Sequence, residues 1–189
     1  RPSEPCGETT WSVLHDLGSA VVLRNPSWWL SAALARFQGV RRRQDLLGEP
    51  RGVRVYDDFA HHPTAVRETL AALRARHPEG ALYAVFEPRS ATACRAQHQE
   101  EYARAFDRAT EVLLAPLGRS GIAPGEALDL DRLAAAVGAR GVPAAALPSV
   151  EAIVERLAAR ARPGDTIALL SNGAFGGIHG LLLAALGRP

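Results

Sequence analysis

The sequence predicts an α/β fold, a doubly wound, mostly parallel sheet with helices on both faces. After Gly52, short apolar runs of strand length alternate with longer segments whose apolar residues recur at helical spacing, the pattern of repeated βα units. Breaks fall where such units should end, at Pro63, Ser149 and Pro163-Gly164. Polar clusters follow the apolar runs directly, as expected where loops leave the carboxyl ends of parallel strands and bind ligands.

The first clear unit is Val53-Arg54-Val55-Tyr56-Asp57-Asp58-Phe59-Ala60-His61-His62-Pro63-Thr64. Alternating apolar residues at 53 and 55 indicate a strand, and Pro63 opens a helix with apolar positions at 66, 70 and 73. Strands are expected near 52 to 57, 81 to 87, 111 to 115, 143 to 147 and 165 to 171. Helices are expected near 63 to 76, 96 to 109, 129 to 138, 149 to 161 and 175 to 187. Pro143-Ala-Ala-Ala-Leu147 is the weakest of these strands, with loop as the alternative, because Ala is a poor strand former. Upstream, Ser19–Leu23 is a short apolar stretch, and Trp28–Phe37 has helical spacing after Asn25-Pro26-Ser27 and stops at Gly39.

A length of 189 residues allows one ordinary domain and an appendage, and 47% hydrophobic with 22% charged residues is a globular composition. The net charge is +2 and the longest basic run is Arg41-Arg42-Arg43, so nucleic acid is not indicated; alone, that triplet reads as a solvated connector. Cys6 and Cys94 lack the spacing of a disulfide framework or a zinc site, which fits a reducing, cytoplasmic setting and no metal centre. Leu181–Leu186 is too short to span a bilayer, so no membrane partner is expected. All 22 basic residues are Arg, and a phosphate loop of the Gly-x-x-x-x-Gly-Lys type needs a Lys. The chain alone is therefore expected to be inactive toward nucleoside triphosphates. Met is absent, so Arg1 is not an initiator residue, which fits a processed protein or an excised fragment.

Asp57, Asp58, His61 and His62 thus fall beside a helix N-terminus at the end of a strand, where anions and ribose hydroxyls are bound. By spacing alone Asp58 is a ribose acceptor or a turn carboxylate, and His62 before Pro63 a ligand or a helix cap. The other strand ends carry Glu87-Pro88-Arg89-Ser90-Ala91-Thr92, Pro116–Ser120 and Ser171-Asn172-Gly173. Arg89 suits bidentate carboxylate recognition, or a surface ion pair. Asn172–Gly177 could form an anion-binding backbone nest, although its glycines lack the dinucleotide spacing. His179 reads as a packed or capping imidazole.

The run from Asp57 to Thr64 resembles the Asp-Asp-(Tyr/Phe)-(Ala/Gly)-His-His-Pro-Thr motif that begins the C-terminal domain of the Mur ligase family. Phe86–Thr92 and Ser171–His179 resemble the family's later motifs, and Phe37-Gln38-Gly39-Val40-Arg41-Arg42-Arg43 resembles its interdomain hinge. The resemblance implies a Rossmann-like C-terminal domain over residues 46 to 189, preceded in 1 to 45 by the tail of a central ATP-binding domain and the hinge. It departs at Ala91, where many members carry Asn, and at Gly7–Val13, which has none of the His or Asn of the family's adenine segment.

What the resemblance implies for function is an ATP-dependent ligase that activates a carboxylate as an acyl phosphate, which an amine then attacks. The members with the most similar motifs join murein tripeptide, L-Ala-γ-D-Glu-meso-diaminopimelate, to UDP-N-acetylmuramate in peptidoglycan recycling. By that resemblance Arg43 approaches the γ-phosphate, Asp58 the ribose and His61 the phosphates. Arg89, Ser90, Thr92, Ser171, Asn172 and Gly173 face the tripeptide, and ATP and Mg2+ are held mainly by the central domain. The alternatives are the C-terminal domain of a UDP-N-acetylmuramate:L-alanine ligase, and a catalytically silent peptide-binding module.

Overall fold

A computed structural model describes residues 41 to 123 and 125 to 188, which belong to a unit beginning at Arg41. The expected apolar stretch at 19 to 23, the helix at 28 to 37 and the first hinge residues, 37 to 40, lie outside the described residues.

The strands are β1 (Asp45–Gly48), β2 (Arg54–Asp58), β3 (Leu82–Phe86), β4 (Glu111–Leu114), β5 (Ala144–Ala146) and β6 (Thr166–Leu170). The helices are α1 (Pro63–Arg76), α2 (Gln99–Ala105), α3 (Leu130–Ala139), α4 (Val150–Arg160) and α5 (Ile178–Leu186). One six-stranded sheet runs in the order β1-β2-β6-β3-β4-β5, with β1 antiparallel and the other pairs parallel. The sequence-based expectation held five strands and missed β1. Only Leu46 and Leu47 are apolar in that segment, and Leu46 is exposed, so an edge strand covered on one side left no period to read.

Alternate residues of the strands feed two cores. Tyr56, Ala84, Phe86, Val112, Leu114, Ala168 and Leu170 pack under α1, α2 and α3. Val55, Tyr83, Val85, Leu113, Ile167 and Leu169 pack under α4 and α5. The period of two in a pleated strand is the cause, and burial of the central strands on both faces explains their unbroken apolar runs. Helix starts follow local chemistry: Pro63 sits in the first turn of α1, Asp129 Oδ1 accepts from Arg132 N at 2.9 Å, and Ser149 Oγ from Ala152 N at 3.2 Å.

Two elements differ from expectation, and the Ala-rich strand expected over 143 to 147 is present. The helix expected over 96 to 109 is a 3-10 turn, Ala96–His98, followed by α2, which stops at Ala105 so that the chain can turn and bring Thr110 to Leu82. The helix expected from 175 starts at Ile178, because Phe175, Gly176 and Gly177 all have positive φ (47°, 55° and 76°). The Ala-rich segment is a strand, β5, paired with β4 from Val112 to Leu114.

This topology creates a crevice. β6 lies between β2 and β3, yet the chain leaves β6 toward the α4/α5 face and leaves both neighbours toward the other face. Connections departing in opposite directions leave a gap at the carboxyl ends, the position at which open α/β sheets bind ligands.

Candidate functional site at the carboxyl edge of the sheet

Asp57, Glu87 and Ser171 meet at that crevice from β2, β3 and β6, and each is at most 7% exposed. Ser171 Oγ donates to Glu87 Oε2 at 2.5 Å and accepts from Gly173 N at 3.0 Å. Glu87 Oε1 lies 3.6 Å from Arg89 Nη1. The Arg89 side chain is threaded between two backbones. A Cβ on Gly173 would lie 2.0 Å from Arg89 Cδ, and one on Gly118 would lie 2.9 Å from its Cγ. Glycine at both positions leaves the groove in which the stem lies, while the side chain stays 43% exposed. A partly exposed guanidinium held this way suits a carboxylate.

Asp57 is flanked by two nitrogen donors. Arg42 Nε donates to its Oδ2 at 2.9 Å, and His179 Nε2 lies 3.1 Å from Oδ1. Burial pushes the Asp57 carboxyl up, but the hydrogen bonds and charges of His179 and Arg42 outweigh it and hold the pKa below the ordinary value. Asp58 moves the other way. Burial is its largest influence and raises the pKa, despite hydrogen bonds from Ala60, Gln44 and Thr69 and the charge of Arg43. Its Oδ1 accepts from Ala60 N at 2.7 Å and its Oδ2 from Gln44 N at 2.8 Å.

The expected site residues thus separate into groups. Arg89, Ser171, Asn172 and Gly173 come together at the crevice. Asn172 Oδ1 is buried there without a hydrogen-bond partner among the described residues. Ser90 Oγ is used by its own turn, accepting from Ala93 N at 3.0 Å, and exposed Thr92 serves through its carbonyl, which accepts from Arg95 N. His61 Nδ1 lies 2.9 Å from Phe59 O, and its carbonyl accepts from Tyr102 Oη. Arg43 is exposed. His62 is the N-cap of α1, its Nδ1 accepting from Thr64 N at 3.4 Å. Asp58, 2% exposed and with a backbone donor on each oxygen, anchors the turns on either side of it.

Sequence reasoning missed Arg42, Glu87 and Gly118. Glu87 stood in a quoted motif, but nothing local marks which of three consecutive arginines reaches a loop 129 residues away.

For nucleotide binding the side chains fit one part of the ligand. Exposed Arg43 and half-buried His61 have donors suited to phosphate oxygens. Asp57 and Asp58 are taken by guanidinium, imidazole and backbone donors, so this pair does not fit Mg2+. Elsewhere, His62, His98 and Glu101 bring one ligand atom each within 4.8 Å of one another. His62 and His98 hold the N-cap positions of α1 and α2, where the helix dipoles oppose a cation, and Glu101 is already 2.7 Å from His98 Nδ1.

The family described as Mur ligase, glutamate ligase domain matches residues 42–173, and the chain belongs to that family. It is 35% identical over 195 residues to the UDP-N-acetylmuramate--L-alanyl-gamma-D-glutamyl-meso-2,6-diaminoheptandioate ligase of Escherichia coli (strain K12), covering 98% of this chain and 41% of that protein. It is 39% identical over 144 residues to the UDP-N-acetylmuramate--L-alanine ligase of Acidothermus cellulolyticus, covering 76% of this chain and 30% of that protein. Among solved structures it resembles the murein peptide ligase Mpl of Psychrobacter arcticus 273-4, with a TM-score of 0.70 and 34% identity over 85% of this chain and 33% of that one. The chain therefore spans less than half the length of these relatives.

Proposed function

We propose that this chain is the amino-component-binding domain of an ATP-dependent ligase that joins L-Ala-γ-D-Glu-meso-diaminopimelate to UDP-N-acetylmuramate in cytoplasmic peptidoglycan recycling. The observation that carries the reading is the seat of Arg89 between Gly118 and Gly173, with Glu87 and Ser171 beneath it. A carboxylate-bearing peptide is the natural ligand of such a preset guanidinium, and L-alanyl-γ-D-glutamyl-meso-diaminopimelate carries several carboxylates. The name of the E. coli relative supports the same substrate pair.

In this reading Ser171, Asn172 and Gly173 form the wall of the peptide site, with Ser90 and Thr92 on the neighbouring loop. Arg43 meets the γ-phosphate and His61 a phosphate oxygen, while the phosphate loop and Mg2+ belong to a central domain. ATP would supply the phosphoryl group that activates the carboxylate of UDP-N-acetylmuramate; the residues of this chain hold the amine component and add positive charge beside that phosphoryl group. Asp58 contacts the ribose with lone pairs left beyond those given to Ala60 and Gln44. No nucleic acid or membrane enters the scheme; no described helix is long and apolar enough to cross a bilayer.

Kinetics of the complete enzyme test the assignment. Arg89→Ala should raise the tripeptide KM with little change in kcat, and Arg43→Ala should lower kcat with little change in tripeptide KM. An Arg89→Ala enzyme with unaltered tripeptide KM overturns the peptide site. The likeness to the Acidothermus L-alanine ligase favours a second reading, in which the amine is L-alanine.

A further inference from the structure

Arg42 has no role in the scheme above, yet its guanidinium is among the most engaged groups at the carboxyl edge. Besides Asp57, its Nη2 donates to Ser171 O at 2.7 Å and to Gly173 O at 2.9 Å. The same guanidinium lies 5.5 Å from the centre of the Phe59 ring. Its backbone is also unusual. Arg42 and Gln44 both have positive φ, 60° and 50°, a costly conformation for residues with a side chain. The turn is held in that shape from β2 and the loop after it, because Phe59 N donates to Arg42 O at 2.8 Å and Asp58 accepts from Gln44 N.

The loop that Arg42 grips is the loop that seats Arg89. Ser171 and Gly173 offer their carbonyls to Arg42. On its other side the same loop meets the second arginine, since the Cα hydrogens of Gly173 face Arg89 Cδ and Ser171 Oγ holds the Glu87 carboxylate that pairs with Arg89. Arg42 and Arg89 thus stand on opposite sides of three residues, with no direct bond between them. Two carbonyls and a carboxylate converging on one planar fork fix the loop more tightly than an ammonium could, because an ammonium lacks the fork geometry.

We propose that Arg42 is a positioning residue for recognition of the amino component: it fixes the 171 to 173 loop, and through that loop the Arg89 guanidinium, in the geometry that receives a peptide carboxylate. The inference rests on the reading of Arg89 as the ligand of that carboxylate. If Arg42 served only to neutralise buried Asp57, a second cation at the same position would serve equally. Arg42→Lys separates the two roles, since Lys can pair with Asp57 but cannot span both carbonyls as well.

The experiment is steady-state kinetics of the complete enzyme, varying the tripeptide at saturating ATP and UDP-N-acetylmuramate. The variants are Arg42→Ala, Arg42→Lys, Arg89→Ala and the double variant Arg42→Ala/Arg89→Ala. Both Arg42 variants should raise tripeptide KM by roughly three- to thirtyfold, within the span seen for coupled neighbours in one network, and should leave ATP KM unchanged. In the Arg89→Ala background, Arg42→Ala should add nothing further. Arg42 variants with normal tripeptide KM beside an Arg89→Ala enzyme with a raised one overturn the inference and leave the peptide site standing, as do single effects that multiply in the double variant. A normal KM in Arg89→Ala removes the peptide-site reading itself, and this inference with it.

Discussion

Asp57 and Asp58 are adjacent in the sequence and shifted in opposite directions, and the pleat of β2 is the reason. Asp57 continues the row of Val53 and Val55 and meets His179 of α5; Asp58 continues the row of Tyr56 and meets Thr69 of α1. One carboxylate faces cations and the other chiefly backbone N–H groups. For Asp57 the folded pKa lies below the unfolded one, so its contribution to stability is complete above the unfolded carboxylate pKa, about 3.9, and is lost as pH falls through the folded value. Urea unfolding of the parent chain and Asp57→Asn should show a constant stability difference from about pH 5 to 7 that shrinks below about pH 4. A difference independent of pH down to acid unfolding would remove Asp57 from the ion-pair network. Asp58→Ala should destabilise the domain by about 1–3 kcal/mol, because the N–H groups of Ala60 and Gln44 lose their acceptor. Unchanged stability in that variant would mean that water replaces the carboxylate at no cost.

At the scale of elements, the βα repeat was legible because the central strands are apolar throughout and the helices carry their own start signals, Pro63, Asp129 and Ser149. What stayed hidden depends on partners distant in sequence. β1 is a strand because β2 lies beside it, and the start of α5 is displaced by a run of positive φ that Gly176-Gly177 hinted at and Phe175 did not. The loop of 171 to 173 was legible as a motif, but its two-sided role was not, since Arg42 approaches it from 129 and 131 residues away. The loop yields a clean substitution. At Gly173 the three atoms nearest an added methyl group all belong to the flexible Arg89 side chain, so Gly173→Ala should leave the melting temperature nearly unchanged while evicting Arg89. In the complete enzyme, tripeptide KM should then rise as far as in Arg89→Ala. A Gly173→Ala enzyme with normal tripeptide KM would show that the seat is dispensable.

On the scale of the whole molecule, the sheet order leaves a crevice at β6, whose outgoing connection takes the opposite face from those of β2 and β3, and the sequence motifs converge there because each terminates a strand that borders it. The chain covers 41% of its E. coli relative, and in the proposed function the domain's part is the choice of amine. That choice is the centre of the account, and competition between amines reads it directly. The complete enzyme is supplied with ATP and UDP-N-acetylmuramate, and kcat/KM is measured for L-Ala-γ-D-Glu-meso-diaminopimelate and for L-alanine. The tripeptide should be strongly preferred and Arg89→Ala should erode the preference; a preference for L-alanine, or a tripeptide preference indifferent to Arg89, would contradict the assignment of this domain to the tripeptide.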